Sequence, residues 1–224
     1  GEYVPLTNVA RDPLNEFGFS DADTLFYSKN PGFEAVVHSH PAYEAEGVKI
    51  SRLSPSATDM KQQLATAKPW VIVAENASNG TWEMFDWGAH TLDLPILERP
   101  FRHGVEDCYT VIQKWWWQER QILLLPMPRD AGWWGSKGNP PKANLYIDHF
   151  AECGAKQFFP RTPRDLLPGD VFLYKLGQGV TQYNHGGIFT GNGRVAHHGP
   201  TKLSNDGPIG PWFDRIDFWL RREP

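Results

Sequence analysis

Cysteine is scarce in this chain: two residues, Cys108 and Cys153, in 224. That falls short of the dense, even-numbered set that staples a small secreted scaffold, so Cys108 reads as a free thiol and Cys153 as packing. No run of about eighteen apolar residues occurs, and no membrane-spanning helix is expected. A basic surplus is missing too. The 22 Lys and Arg face 26 Asp and Glu, and a net charge of -4 gives no electrostatic case for a nucleic-acid partner. The opening Gly1-Glu2-Tyr3-Val4-Pro5 has neither the basic nor the apolar stretch of a signal peptide. It also lacks an initiator Met, which leaves room for processing or for residues upstream. Internal repeats and low-complexity tracts are absent. What is plentiful is apolar matter, 40% of residues, enough for a core in each of two halves. Ten Trp include the run Trp115 to Trp117 and the pair Trp133-Trp134. Their favoured reading is helix and loop packing, with an exposed partner or glycan surface as the minority one.

One stretch organises the second half. After Gly104 a helical pattern runs to about Gln121, with Val111, Ile112, Trp115, Trp116 and Ile122 on its apolar face. Asp107 sits as an N-cap, so Cys108 falls in the first turn. Unpaired amides and the macrodipole there favour a thiolate. Taken alone, Cys108 is as readily a small buried hydrophobe.

The stretch downstream tips that balance. Leu167-Pro168-Gly169-Asp170 is a turn before an apolar strand. Asn192-Gly193 between two short apolar runs is a hairpin signal, pairing strands near 185–190 and 194–198. The pairing returns His197 towards His185. His185 can then take the proton of Cys108, while His197, or less readily His198, orients the imidazole. That is a nucleophile, a base and an orienting group. Each histidine alone is more often a satisfied polar residue, and the set together favours chemistry.

Gly-Val-Glu-Asp-Cys-Tyr, Leu-Pro-Gly-Asp-Val, Asn-His-Gly-Gly-Ile-Phe-Thr-Gly-Asn-Gly and Val-Ala-His-His resemble the NlpC-type cell-wall cysteine peptidases, over roughly residues 99–224. The resemblance implies a papain-like α+β fold, with Cys108 as nucleophile, His185 as base and His197 as third polar residue; Asp107, as the N-cap, stands in support. It needs no cofactor. The implied substrate is the peptidoglycan stem peptide, cut at the γ-D-glutamyl–diaminopimelate bond.

In the first half, residues 2–30 read as short strand-like runs broken at Pro5, Pro13 and Asn15, then Phe17-Gly18-Phe19 and a capped turn over residues 20–23. Phe33 to Val37 reads as a buried strand delivering His38-Ser39-His40-Pro41. Histidines two apart on a strand point the same way and can share a metal. Ser54 to Asp59 opens a helix, and Asp59 is a possible third ligand. Two His and a carboxylate leave a position open for water. Residues 69–74 and 80–87 read as further strands. His-Ser-His-Pro followed by Pro-Ser-x-x-Asp resembles the JAMM metallopeptidases. The resemblance implies a JAMM-like α/β module, incomplete at its N-terminus, with His38, His40 and Asp59 as ligands and Ser56 in support. Two departures matter. The stretch between Pro41 and Ser56 is longer than the family's gap, which loosens the approach of Asp59. Glu2 does not stand where the family keeps its general-base Glu. The expectation is zinc bound weakly or not at all, and no metallopeptidase activity. A strand-end His pair beside a capped turn is the plain alternative.

A JAMM-like module (1–98) followed by an NlpC-like one (99–224) is similar to a family of tail-tip proteins of lambda-like phages, with two prolines punctuating the linker at residues 94–100. The order implies a peptidoglycan hydrolase at the virion tail tip, or in the host cytoplasm during assembly, with other tail-tip proteins as partners. The rival expectations are a structural plug or assembly factor with vestigial sites, and a protease that trims another tail protein. Between the Cys helix and the His sheet, residues 133–135 and 138–141 read as irregular loop and Asn144 to Phe150 as helix, with Gly154 after it. Such an insertion passes near the cleft and shapes substrate choice. Residues 214–222 read as a closing strand or edge cover.

Overall fold

Ser20 sets the first element. Its hydroxyl accepts from the Asp23 amide at 3.0 Å, and α1 (Asp21–Lys29) follows. The computed structural model describes residues 2, 4–12, 18–135 and 144–223. Within them the strand-like runs expected over residues 2–30 are not strands, and the capped turn is the start of a helix. Asp21 and Asp23 in the first turn and Lys29 in the last suit the helix dipole, which the turn reading overlooked. The breaks expected at Pro13 and Asn15, with Phe17, lie outside the described residues, as does the loop at 138–141.

β1 (Val36–His40) carries the two histidines at its end. The stretch after Pro41 forms a hairpin of β2 (Tyr43–Ala45) and β3 (Val48–Ile50), turned by Glu46 and Gly47 at positive φ. α2 (Ala57–Thr66) starts from a Ser56 capping box. β4 (Trp70–Glu75) then lies parallel to β1 and antiparallel to β5 (Trp82–Trp87). Alternation places Trp70, Ile72 and Ala74 on the packed face, with Val36, His38 and Trp87.

A short 3-10 turn (Ala89–Asp93) leads towards α3 (Cys108–Arg120). After α4 (Leu145–Glu152) come β6 (Ala155–Phe158), β7 (Val171–Tyr174), β8 (His185–Gly191), β9 (Arg194–His197), β10 (Asn205–Pro208), α5 (Gly210–Phe213) and β11 (Phe218–Arg222). The six strands order β10-β9-β8-β7-β11-β6, with every described pairing antiparallel. This is α+β architecture. α3 and α4 cover one face, burying Val111, Ile112, Trp115, Trp116 and Phe150 against Leu173 and Ile188. Each such aliphatic side chain contributes roughly 1.5–3 kcal/mol over its exposed state. Phe172, Phe189, Val195 and Trp219 fill the other face. The His-Gly-Gly start of β8 has a steric cause. A Cβ on Gly187 would lie 2.5 Å from the Phe172 ring and 2.7 Å from the Ala196 carbonyl oxygen. At Gly186 it would crowd the Phe172 carbonyl at 3.0 Å.

Half of the ten tryptophans are buried in packing (Trp70, Trp87, Trp115, Trp116 and Trp219), Trp117, Trp133 and Trp134 are partly buried, and Trp82 and Trp212 are exposed, at 54% and 40%. Sequence patterning did not foresee Lys114. It is fully buried on α3 and donates to Glu106 at 2.6 Å. Contacts also cross the linker. Val105 joins the first sheet's apolar cluster, and Arg102 donates to Leu53 O and to Glu83 Oε2.

Candidate active site and candidate metal centre

Asp107 is the N-cap of α3. One carboxylate oxygen accepts from the Tyr109 and Thr110 amides at 3.1 and 3.2 Å; the other accepts from Gly104 N at 2.7 Å and from the Arg129 guanidinium. Both members of that ion pair are buried, at 2% and 3% exposure. Burial pushes the Asp107 carboxyl up, but Arg129 and then His103 outweigh it and hold it below the usual range. Cys108 follows, only 5% exposed. Its Sγ lies 3.1 Å from Tyr146 Oη, and the Gly186 amide also reaches it. α4 is held over the thiol by Tyr109, whose hydroxyl lies 2.6 Å from His149 Nε2. Cys153 Sγ lies 3.7 Å from the same nitrogen, within the packed cluster.

His185 opens β8 and His197 closes β9. Gly187 pairs with His197, so both histidines project from one face, and His185 Nε2 lies 3.4 Å from His197 Nδ1. His198 points the other way. It is fully buried, its Nε2 lies 3.1 Å from Lys202 O, and it packs edge-on to Phe101. Strand alternation separates these neighbours. The structure thus joins His185 to His197 and sets Cys108 beside Gly186. Among the described residues no hydrogen bond joins Sγ to His185. Two residues were missed from sequence: Tyr146, which caps the thiol, and Arg129, which neutralises the N-cap. Tyr146 offered a faint signal in the helical pattern of 144–150; Arg129, after Pro126-Met127-Pro128, offered none.

The helix-start argument for a thiolate does not survive this setting. Burial first, then the Asp107 carboxylate, pushes the Cys108 thiol up to about 11, despite opposing help from Tyr146 and Arg129. The cap that satisfies the helix start also sets a negative charge beside the thiol. Burial, with His197 and His198, pushes His185 down to about 3. At neutral pH the pair is a thiol and a neutral imidazole. Iodoacetamide labelling of Cys108 is therefore expected to climb about tenfold per pH unit from 7 to 10, because only the thiolate reacts. A plateau by pH 8.5 in site-resolved mass spectrometry would show an activated thiol instead.

In the first half, His38 Nε2 and His40 Nε2 stand 3.1 Å apart, with Asp59 carboxylate oxygens at 3.3 and 3.5 Å from them. Zinc bonds of about 2.0–2.2 Å in a tetrahedron put ligand atoms roughly 3.3–3.6 Å apart, so the donor set fits, with both His–Asp59 spacings in range and the His38–His40 spacing slightly below it. His40 Nδ1 meets Arg52 O at 3.1 Å, and Ser56 donates to Asp59 through its amide and hydroxyl, the outer partners a ligand set needs. Burial pushes the Asp59 carboxyl up, but the hydrogen bonds with His38 and His40 prevail and hold it far down. The looseness expected from the long gap is not found. The gap is a hairpin, and Asp59 still reaches both imidazoles. Among the described residues no further carboxylate joins the cluster.

The chain is 29% identical over 215 residues to tail tip assembly protein K of Escherichia phage N15, spanning 94% of this chain and 78% of that protein. It is 32% identical over 173 residues to tail tip assembly protein K of Escherichia phage lambda, spanning 76% of this chain and 71% of that protein. Among solved structures, an NLP/P60-family protein described as similar to lipoprotein, from Staphylococcus aureus subsp. aureus Mu50, matches 62% of this chain and 43% of its own. That match has 17% identity and a TM-score of 0.36, too loose to carry weight. No protein-family model matches the chain. At 32% identity to the lambda protein over an alignment that spans 76% of this chain and 71% of that protein, the chain belongs to the tail tip assembly protein K family.

Proposed function

We propose that the chain is a cysteine peptidase of the phage tail tip, which cuts peptidoglycan stem peptides during tail penetration or assembly and works beside other tail-tip proteins. We read it as two domains meeting near residue 98. The observation that carries the reading is Cys108 at a helix start beside Gly186, with His185 and His197 joined at 3.4 Å on the adjoining strands. In the reaction, Sγ attacks the carbonyl carbon as its proton passes to His185. The C–N bond then breaks, His185 returns the proton to the departing amine, and the acyl group stays on Sγ as a thioester. Water next attacks that carbonyl and gives a proton to His185, and the C–S bond breaks to release the carboxylic acid as His185 returns the proton to Sγ. Asp107 occupies the Tyr109 and Thr110 amides, which leaves that of Cys108 itself for the oxyanion. The bond favoured by the motif resemblance is γ-D-glutamyl–diaminopimelate. His38, His40 and Asp59 would hold zinc, which supplies Lewis-acid chemistry when bound; the cysteine reaction does not need it.

A second reading, a tail-tip assembly factor with a latent site, is favoured by the burial and high pKa of the thiol. Purified murein separates the two. The peptidase reading expects stem-peptide fragments with a newly exposed diaminopimelate amine, seen by mass spectrometry, in yields unchanged by EDTA. Intact muropeptides from a folded preparation would leave the assembly reading. Release that stops with EDTA and returns with zinc would move the chemistry to the first half.

A further inference from the structure

Within one turn, α2 touches the metal-ligand cluster on one side and the supports of the cysteine helix cap on the other. Asp59, its third residue, faces His38 and His40. Met60, the next residue, points to the other side and is 6% exposed. Its Sδ accepts from the Arg129 amide at 3.4 Å, and its Cε fills the space over Gly104, where a Cβ would stand 1.9 Å away. Gly104 has φ 79°, so a side chain there would also be strained. The Ala57 amide, at the start of α2, donates to Asp130 Oδ1 at 2.8 Å. These contacts land on the two segments that fix the cap of the cysteine helix. Gly104 N and the Arg129 guanidinium both bind the Asp107 carboxylate. The path from the metal ligands to the residue before the nucleophile therefore runs Asp59, Met60, Arg129, Asp107.

We propose that α2 couples the two sites, so that a divalent cation on His38, His40 and Asp59 holds the thiol site closed through Met60 and Asp130. The regulatory sense of this rests on reading Cys108 as the working nucleophile. Cys108 and His185 are 5% and 8% exposed, so a reagent or substrate reaches them only after an opening. Tyr146 and α4 cover the thiol, and α4 is tied through His149 Nε2 to Leu125 O at 3.0 Å, just before the 127–130 segment. An opening that lifts α4 and carries the 127–130 and 103–107 segments with it also drags α2 and pulls Asp59 from the histidines. A cation bound to the closed form alone then lowers the open population by a factor of 1 + [M]/Kd, about tenfold at ten times Kd.

The test uses the full chain, freed of metal and loaded with zinc at ten times its measured Kd. Its readout is iodoacetamide labelling of Cys108 at fixed pH, with Cys153 as internal reference. Labelling does not need hydrolysis, so a chain inactive on murein can still pass. The expected result is Cys108 slowed about tenfold with Cys153 unchanged. His38→Ala should abolish both zinc binding and the slowing. Met60→Ala should keep zinc binding but cut the slowing below about twofold. Asp130→Ala, which removes the acceptor of the Ala57 amide at an exposed contact, is the milder cut and should reduce the slowing even where Met60→Ala fails to fold. Four outcomes overturn the coupling: no zinc bound, zinc bound with labelling unchanged, both thiols slowed alike, or undiminished slowing in Asp130→Ala. Slowing that persists in His38→Ala assigns the effect to zinc on the thiol or on His185 and His197, and overturns it too.

Discussion

Arg129→Met is expected to destabilise the chain by about 3–5 kcal/mol, the usual cost of stripping one partner from a buried ion pair. Asp107 would keep its Gly104, Tyr109 and Thr110 amide donors but lose its counter-charge in a site almost closed to water. Met fills much of the volume, which separates the charge from the packing. Denaturant titration should show a lower midpoint with little change in slope. The pH dependence has a definite sign. The Asp107 carboxyl sits below its unfolded value, so its stabilisation is complete above about pH 3.9 and is lost as the pH falls through the folded pKa. The gap between wild type and Arg129→Met should therefore narrow in strong acid. Asp107→Asn combined with Arg129→Met should recover part of the loss, since no buried charge is then left alone. A midpoint within experimental scatter of wild type would show that Asp107 has found water or another cation.

Much of this was legible because local rules agreed with packing. Asp107 before an apolar-periodic run announced α3, and Asn192-Gly193 announced the β8–β9 hairpin; both are where the pattern put them. Period-two alternation separated His197 from His198. The convergence of His38, His40 and Asp59 followed from strand geometry and a capping box. What could not be read was set by contacts distant in sequence. Tyr146 meets Cys108 across 38 positions and Arg129 meets Asp107 across 22, and no local periodicity encodes either. The thiol's protonation was misjudged for the same reason. A helix start alone favours the thiolate, but burial under α4 and the capping carboxylate reverse the balance. α1 was missed because its apolar face is weak; its caps and end charges carried the information instead.

Cys108→Ala is expected to lower murein hydrolysis by at least about 10³-fold, and His185→Ala by a comparable factor, because nucleophile and base act as one unit. The double variant should be scarcely worse than either single one. His197→Ala should cost less. Its ring meets His185 at 3.4 Å and packs edge-on to Trp212, so the change removes an orienting contact, not a proton carrier. The pH profile distinguishes this assignment from a general loss of structure. Burial holds His185 near 3, so hydrolysis should not fall through an ordinary imidazole range near 6.5. The thiol near 11 means the working pair starts neutral, and attack couples to proton transfer instead of drawing on a standing thiolate. The rate should then hold roughly level from about pH 5 to 9, as far as the chain stays folded. A limb centred near 6.5 that vanishes in His185→Ala would mean the closed arrangement opens before chemistry and exposes the imidazole. Undiminished hydrolysis by Cys108→Ala, with native secondary structure, would remove the cysteine from the reaction altogether.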